Sequence, residues 1–289
     1  MLVGVGVLIL VAVVLLGRPL VIRRLNAARS LDTAAQQVVV VSVTVNSVDT
    51  LVRAEVSSQT AAASQEASPN IVKAKKQLKE AVRMIDSGLS ALNDDEQKRA
   101  ALVRRTAVAR IEMLDEAPVI LGLGAEAAAV APIVASAWTK TLAADALADQ
   151  AVAQSNRHTK AGWTAAASLN TQAEQGFLAA RDLFSEATTA FPEADLGRYV
   201  AYSELRLKQT RLSKQADAAN RAGNIVLANV LTASYNVADA QSTAAAAQLP
   251  VPPAKAIADG FKLSAESASV KYFKARNRAE TADKELVDF

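Results

Sequence analysis

The chain has 289 residues, of which 62 are alanine, one is histidine and none is cysteine. The absence of cysteine excludes disulfides, thiolate nucleophiles and zinc sites built on sulfur, and one histidine excludes a histidine metal cluster. The net charge of +3 gives little support to nucleic-acid binding, and we predict none. Abundant alanine with only 4% aromatic residues favours helices over a β-sandwich. We therefore predict an all-α protein.

The N-terminus carries a long apolar run. Residues 1–17 contain no charged side chain; Arg18 follows, and Arg23 and Arg24 come after four more apolar residues. A membrane-spanning helix needs about 20 apolar residues, and Arg18 can extend its charge toward the headgroups. A cleaved signal peptide is the alternative, but the run lacks a basic leader and a cleavage motif. We predict a transmembrane anchor over 1–22, flanked by Arg18, Arg23 and Arg24.

The orientation of the predicted anchor stays open. Arginines follow the apolar run and none precedes it, which by the positive-inside rule places the large domain in the cytoplasm. A domain that lacks cysteine is also compatible with an extracytoplasmic location. We predict a single-pass protein of the cell membrane without assigning the side of its large domain.

A heptad pattern follows the anchor. Apolar residues recur at alternating spacings of three and four from Leu31 to Val52, and the positions at its centre are Val38, Val41, Val45 and Val48. This spacing is typical of a helix that packs along another helix. A break at Ser68–Pro69–Asn70, with Asn70 as the next cap, would end this membrane-proximal helix, so we assign it to 23–68.

Residues 69–248 are predicted to form a helical bundle. Asn93 and Glu96 have the spacing of a capping box, and Gly223 followed by Asn224 suits a helix end and a new start. Further breaks are expected between 155 and 162 and at Pro192. The apolar stretch 117–138 contains two prolines and Glu126, which favours a buried, broken helical segment over a second membrane span.

The last predicted helix, 254–289, begins after the turn sequence 249–253. Its heptad positions alternate spacings of four and three: Phe261, Ala265, Ala268, Tyr272, Ala275, Ala279 and Ala282. Alanine at these positions allows close approach of another helix. We predict that this alanine-rich face packs antiparallel on the valine-rich face of the first helix; self-association through either face is the alternative. The expected architecture is thus a membrane helix followed by an elongated alanine-rich bundle or coiled coil.

Candidate chemical sites are sparse. Gly122, Gly124 and Ala127 match the spacing of a dinucleotide fingerprint, which requires a strand–helix turn that the surrounding pattern does not predict. His158 lies in a polar stretch typical of solvent-exposed surface, and Asp145 and Asp149 lack the histidine partners of a di-metal bundle site. We therefore predict no catalytic residue, no cofactor and no metal.

Two other groups of residues admit a binding interpretation. Trp138 and Trp163 could stack on a ligand, although in a chain so poor in aromatic residues they are more typical of core anchors. Lys73, Lys75, Lys76 and Lys79 form a basic group that is typical of a solvated helix face. Contact of these lysines with anionic lipid headgroups is the functional alternative.

Residues 163–192 resemble part of a tetratricopeptide repeat. The spacing of Ala180, Phe184, Ala187 and Pro192 is similar to that of the repeat's second helix, with Trp163 one position out of register in the first. The chain departs from the family where Ser168 and Thr171 stand at its glycine and tyrosine positions. The resemblance implies a helical hairpin that offers a groove to a peptide.

These observations predict a membrane-anchored, non-enzymatic helical scaffold or interaction protein. A protein partner, or self-association through the heptad faces, would then carry the function. A tetratricopeptide-like peptide-binding adaptor and a helical ligand-sensing domain are the alternatives. An enzyme would need a pocket with converging polar groups, which a sequence does not reveal.

Overall fold

A computed structural model describes the backbone of residues 3–289 and the side chains of residues 21–289, so the predicted anchor 1–22 falls almost entirely outside the described side chains. The described chain has seven α-helices and no strand, which confirms the all-α prediction. The helices are α1 (Val3–Arg53), α2 (Ser58–Gly88), α3 (Asp94–Ser155), α4 (Lys160–Ala190), α5 (Gly197–Arg221), α6 (Ile225–Ala246) and α7 (Ala254–Val287). A short 3-10 turn, Leu89–Ala91, follows α2.

The helices form two compact units. Unit 1 comprises Met1–Ala125 and Ala265–Phe289, and unit 2 comprises Glu126–Ser264. Unit 1 thus contains α1, α2, the first part of α3 and most of α7. Unit 2 contains the rest of α3, then α4, α5 and α6, and the start of α7.

The first helix break lies earlier than predicted. α1 ends at Arg53, and α2 starts after Ser57, whose Oγ accepts a hydrogen bond from the Thr60 backbone N–H while Thr60 Oγ1 accepts one from the Ser57 backbone N–H. The predicted break at 68–70 is wrong, because α2 continues through Pro69, and Asn70 does not cap a helix. An exposed proline inside a helix removes one backbone hydrogen bond, and the buried face of α2 compensates for that loss.

The predicted interruption within 117–138 is also wrong. α3 runs without a break from Asp94 to Ser155 and includes Pro118 and Pro132. Buried residues recur on both sides of each proline, among them Ala117, Ile120, Val130 and Val134. Packing of that continuous apolar face keeps the helix intact where local propensity alone would end it.

Polar caps are where the sequence predicts. Asn93 Oδ1 accepts from the Glu96 N–H at 2.8 Å, and Glu96 Oε2 accepts from the Asn93 N–H at 2.9 Å, so the capping box is confirmed. Gly223 has a φ of 74°, a left-handed conformation that favours glycine, and Asn224 Oδ1 accepts from the Leu227 N–H. These two residues end α5 and start α6 as predicted.

Small residues bring helices together within each unit. In unit 1, a Cβ at Gly88 of α2 would lie 3.2 Å from the Cβ of Ala27 in α1. In unit 2, a Cβ at Gly176 of α4 would lie 2.8 Å from the Cβ of Ala144 in α3. The α3–α4 contact continues with Ala173 and Phe177, which pack with Ala144 and Leu207 in one buried cluster. Alanine and glycine therefore serve as close-packing residues as well as helix formers.

Candidate interaction surface and buried polar network

Arg23 and Arg24, two of the three arginines predicted to flank a membrane span, lie at the start of the described part of α1. Arg23 and Arg24 are exposed, and Arg24 Nε lies 3.6 Å from Glu96 Oε2, whereas Arg18 lies outside the described side chains. Within the described part of the chain, Val21–Arg53 and Asp94–Ser155 are long and apolar enough to cross a membrane. Buried core helices pass the same test of length and composition.

The four central heptad positions of the first helix are buried, and so are those of the last helix except for one. Val38, Val41, Val45 and Val48 are buried in α1. In α7 the buried positions are Ala265, Ala268, Tyr272, Ala275, Ala279 and Ala282, whereas Phe261 is half-buried. Other valines of α1, among them Val39 and Val43, are exposed.

Contacts between α1 and α7 follow an antiparallel order. Asp49 Oδ1 accepts hydrogen bonds from Tyr272 Oη at 3.2 Å and from Arg276 Nε at 2.8 Å. Closer to the start of α1, Arg110 of α3 bridges the two helices: its Nη1 donates to the Val38 carbonyl at 2.7 Å, and its Nη2 donates to Asp283 Oδ2 at 2.8 Å. Residue numbers along α1 thus fall while those along α7 rise, as expected if the two heptad faces pack antiparallel.

Unit 2 contains a buried polar network centred on Arg206 of α5. Its Nη1 donates to Gln209 Oε1 at 2.6 Å, and its Nη2 lies 2.7 Å from Asp145 Oδ1 in α3. The guanidinium carbon lies 5.2 Å from the ring centroid of Phe177, a cation–π distance. Gln209 Nε2 in turn donates to Asp239 Oδ1 of α6 at 2.6 Å. The network therefore links α3, α5 and α6.

Burial raises the pKa of two carboxyls in unit 2, Asp145 of this network and Asp217 further along α5. The pKa of Asp145 is raised by desolvation, and the nearby Arg206 and a hydrogen bond from Tyr202 only partly offset this effect. Asp145 Oδ1 forms an ion pair with Arg206 but no aligned hydrogen bond. Asp217 is almost fully buried, and desolvation raises its pKa although Ser155 Oγ donates to it at 2.5 Å.

Polar residues of α5 around this network follow a regular helical spacing in the sequence. Ser203, Arg206, Thr210, Ser213 and Asp217 alternate spacings of three and four along α5, so they share one helix face that is largely buried. A small cavity of about 50 Å³ lies beside this stripe, between α3, α4, α5 and α6. Apolar periodicity does not reveal this stripe, because polar residues at helical spacing usually indicate a solvent-exposed face.

The outer face of α6 is apolar and exposed. Its side chains follow the same heptad spacing: Val226, Val230, Ala233, Val237, Ala240 and Ala244, hereafter the α6 outer face. The three valines are 78%, 60% and 58% exposed, in that order. Single exposed apolar residues are ordinary on protein surfaces, whereas a continuous row along a whole helix is typical of an interaction site. The sequence predicts a helix here, but its apolar spacing does not show that the row is exposed.

Three lysines of the basic group on α2 line a shallow cavity of about 300 Å³ together with Ile71, Val72 and Pro118: Lys75, Lys76 and Lys79. Lys75 in this group pairs with Asp115, and Lys76 and Lys79 are exposed. Gly88 marks the level of Ala27 on α1, and Lys79 lies about 14 Å further along α2. If α1 stood upright in a membrane, lipid headgroups would lie beside residue 22. The lysines would then be further from the headgroups than the Debye length of about 10 Å, which argues against electrostatic contact between them.

The described residues hold no candidate metal-binding cluster. Among residues 21–289, no group of three or more His, Asp or Glu side chains converges on a point. Gly122 and Gly124 lie in the middle of α3 and not at a strand–helix turn, and His158 is exposed in the loop after α3. Trp138 and Trp163 are half-buried, and Trp138 packs edge-on against Tyr199 at 6.1 Å.

Residues 163–190, which carry most of the tetratricopeptide resemblance, lie on the single helix α4, without a turn between the two helices of a repeat. No protein-family model, no curated protein and no solved structure matches the chain. The geometry of the chain's own residues is therefore the basis for assigning a function.

Proposed function

We propose that this protein is a membrane-anchored, non-enzymatic helical scaffold that presents the α6 outer face to a protein partner. The observation that carries the proposal is the row of exposed valines and alanines along α6. Burying such a row contributes roughly 25 cal/mol for each Å² of apolar surface removed from water. The surrounding helices hold the row on a rigid element, as a binding surface requires.

Membrane attachment is proposed from the uncharged N-terminal run. Residues 1–17 supply most of the apolar length that a span requires, and the three flanking arginines suit its interfacial end. We further propose that the heptad faces of α1 and α7 pack as an antiparallel coiled coil beside the membrane. The ion pair of Asp49 with Arg276 supports that register, as does Arg110 of α3, which contacts both the Val38 carbonyl and Asp283.

Extraction from membranes tests the anchor. The full chain should resist alkaline carbonate, and the Leu8→Arg/Val11→Arg variant should be released, since each arginine at mid-span costs about 3 kcal/mol. Val39→Arg/Val43→Arg, which adds the same charges at exposed positions of α1, is the matched control and should remain bound. Release of the unaltered chain would refute membrane anchoring.

Site-specific photo-crosslinking tests the interaction surface. A photoreactive amino acid at Val230 in the full chain should give a discrete protein adduct in intact membranes. The same residue at Leu263 is the control, because Leu263 is an exposed helical apolar residue of the same unit. Equal yields at Val230 and Leu263, or no protein adduct at Val230, would refute the proposed surface.

A further inference from the structure

We propose that the partner on the α6 outer face is a second copy of this chain, with the two α6 helices packed antiparallel. The inference rests on the proposed function, because it names the partner of the same surface. Most soluble oligomers are homo-oligomers with two-fold symmetry, in which one patch must complement itself. The question is therefore whether the α6 outer face is self-complementary.

The order of large and small residues along the face meets that requirement. A two-fold axis level with residue 235 places Val226 opposite Ala244 and Val230 opposite Ala240 of the other copy. The same axis places Ala233 opposite Val237. Every valine thus meets an alanine, which fills the contact layers evenly and lets the backbones approach closely. A parallel pairing would instead stack valine on valine and alanine on alanine, giving wide and empty layers in turn.

The inner side of α6 is consistent with this assignment. Ala228, Tyr235 and Ser242 are spaced by seven and point into unit 2, since Ala228 and Ser242 are buried and Tyr235 is half-buried. They occupy the heptad position opposite the core of a coiled coil, so the six outer residues take the a and d places. The proposed axis pairs each a residue with a d residue, as an antiparallel coiled coil does.

Charge on and around the face favours a neutral partner. α6 contains a single charged residue, Asp239, and Gln209 Nε2 of the same unit donates to its carboxylate at 2.6 Å. The residues that flank the face are Leu227, Asn229, Ser234, Asn236, Gln241 and Thr243. A charged peptide would find no opposite charge there, and helices that lie on membranes carry Lys or Arg beside their apolar face. A second α6 is equally neutral.

The size of the contact predicts a weak dimer. α6 has 22 residues, which is about 33 Å of helix, so two such helices bury on the order of 1,000 Å² in total. That area lies near the lower limit for a specific interface.

Disulfide crosslinking tests the pairing cleanly because the chain has no cysteine of its own. The full chain is placed in phosphatidylcholine vesicles and oxidised with copper–phenanthroline. Val226→Cys/Ala244→Cys should give covalent dimers, because each Cys faces its counterpart on the other copy. Val226→Cys alone should not, since its two copies would be about 27 Å apart in the antiparallel pair. Adding Val230→Lys and Val237→Lys should reduce the crosslinking at least tenfold, whereas adding Leu263→Lys should not.

Each other outcome overturns the inference in a distinguishable way. Dimers of Val226→Cys alone, at the yield of the double variant, would show a parallel pair. No dimer from the folded double variant would refute self-pairing, with folding checked by circular dichroism. If the photoreactive residue at Val230 then captured a different protein, the proposed function would stand and the second copy would not. Lipid adducts alone at Val230 would refute both.

Discussion

At the scale of single residues, Arg206 is the side chain on which the polar interior of unit 2 depends most. Its side chain is 12% exposed and that of its ion-pair partner Asp145 is 25% exposed, so both charges are largely removed from water. A charge removed from water is tolerated only with a partner, and the loss of one partner leaves the other uncompensated.

We expect Arg206→Met to destabilise the protein by about 3 kcal/mol, because it leaves Asp145 unpaired and removes the donor to Gln209. Chemical denaturation followed by the fluorescence of Trp138 and Trp163, both in unit 2, measures this change. Arg211→Met is the matched control. It removes the more exposed pair with Glu174 and should cost less than about 1 kcal/mol. Equal losses in the two variants would contradict a dominant role for Arg206.

The buried carboxyl of Asp217 predicts a dependence of stability on pH. Burial raises its folded pKa above the ordinary 3.8, so the folded state holds the proton more tightly than the unfolded state. Its contribution to stability is therefore full below pH 3.8 and is lost as pH rises through the folded pKa. The unfolding free energy, measured by urea denaturation from pH 4 to 7, should therefore decline less steeply with pH in Asp217→Asn than in the wild type. Asp182→Asn, at an exposed position, is the control and should keep the wild-type dependence of unfolding free energy on pH. A wild-type dependence in Asp217→Asn as well would contradict the prediction.

At the scale of helices, close contacts of small residues fix how α7 begins. A Cβ at Gly260 would lie 2.5 Å from the Glu193 carbonyl oxygen and 2.8 Å from the Ala194 backbone nitrogen. Both neighbours are backbone atoms in unit 2, so they cannot rotate away. The start of α7 therefore requires a glycine at this position.

Gly260→Ala should destabilise unit 2 by about 2 kcal/mol, since the added methyl forces a backbone shift. Thermal unfolding monitored by circular dichroism measures the change. Gly197→Ala in the same unit meets no atom within 4 Å and should leave stability within about 0.5 kcal/mol. A Gly260→Ala variant as stable as Gly197→Ala would show that the contact relaxes without cost.

The interruptions of the helices show what the sequence could and could not predict. Polar caps such as Asn93 with Glu96 and Gly223 with Asn224 act through neighbouring residues, so local pattern suffices to find them. The sequence predicts breaks at Pro69, Pro118 and Pro132, yet these prolines lie inside α2 and α3. Whether a proline ends a helix depends on how much packing lies beyond it, and packing is not a local property.

Pro69→Ala tests that explanation. Pro69 is exposed, and its missing N–H leaves the carbonyl of Gln65 without its helical partner. Alanine restores that bond, so the variant should be more stable by roughly 1–3 kcal/mol in chemical denaturation. Val72→Ala, at a nearby exposed position of α2, should change stability by less than about 0.5 kcal/mol. A loss of stability in Pro69→Ala would show that the proline fits this helix better than alanine does.

At the scale of the whole molecule, periodicity predicted the buried sides of helices better than their exposed functional side. The 3–4 alternation in α1 and α7 selects residues that are buried, because the same residues must pack to hold those helices. The α6 outer face has the same alternation but is exposed. A sequence does not distinguish a heptad row that packs within its own unit from one left for a partner. Only the position of α6 at the surface of unit 2 separates the two cases.

The most direct test of the scaffold proposal is the rate at which a single cysteine at Val230 reacts with a maleimide in the full chain. The rate is compared between native membranes and the purified chain diluted in detergent, with Leu263→Cys as the reference in each. We expect labelling at Val230→Cys to slow at least tenfold in the membranes while Leu263→Cys changes little, because a partner covers the α6 outer face there. If the ratio of the Val230→Cys rate to the Leu263→Cys rate were the same in membranes and in detergent, the α6 outer face would be uncovered in both. That result would contradict its role as an interaction surface.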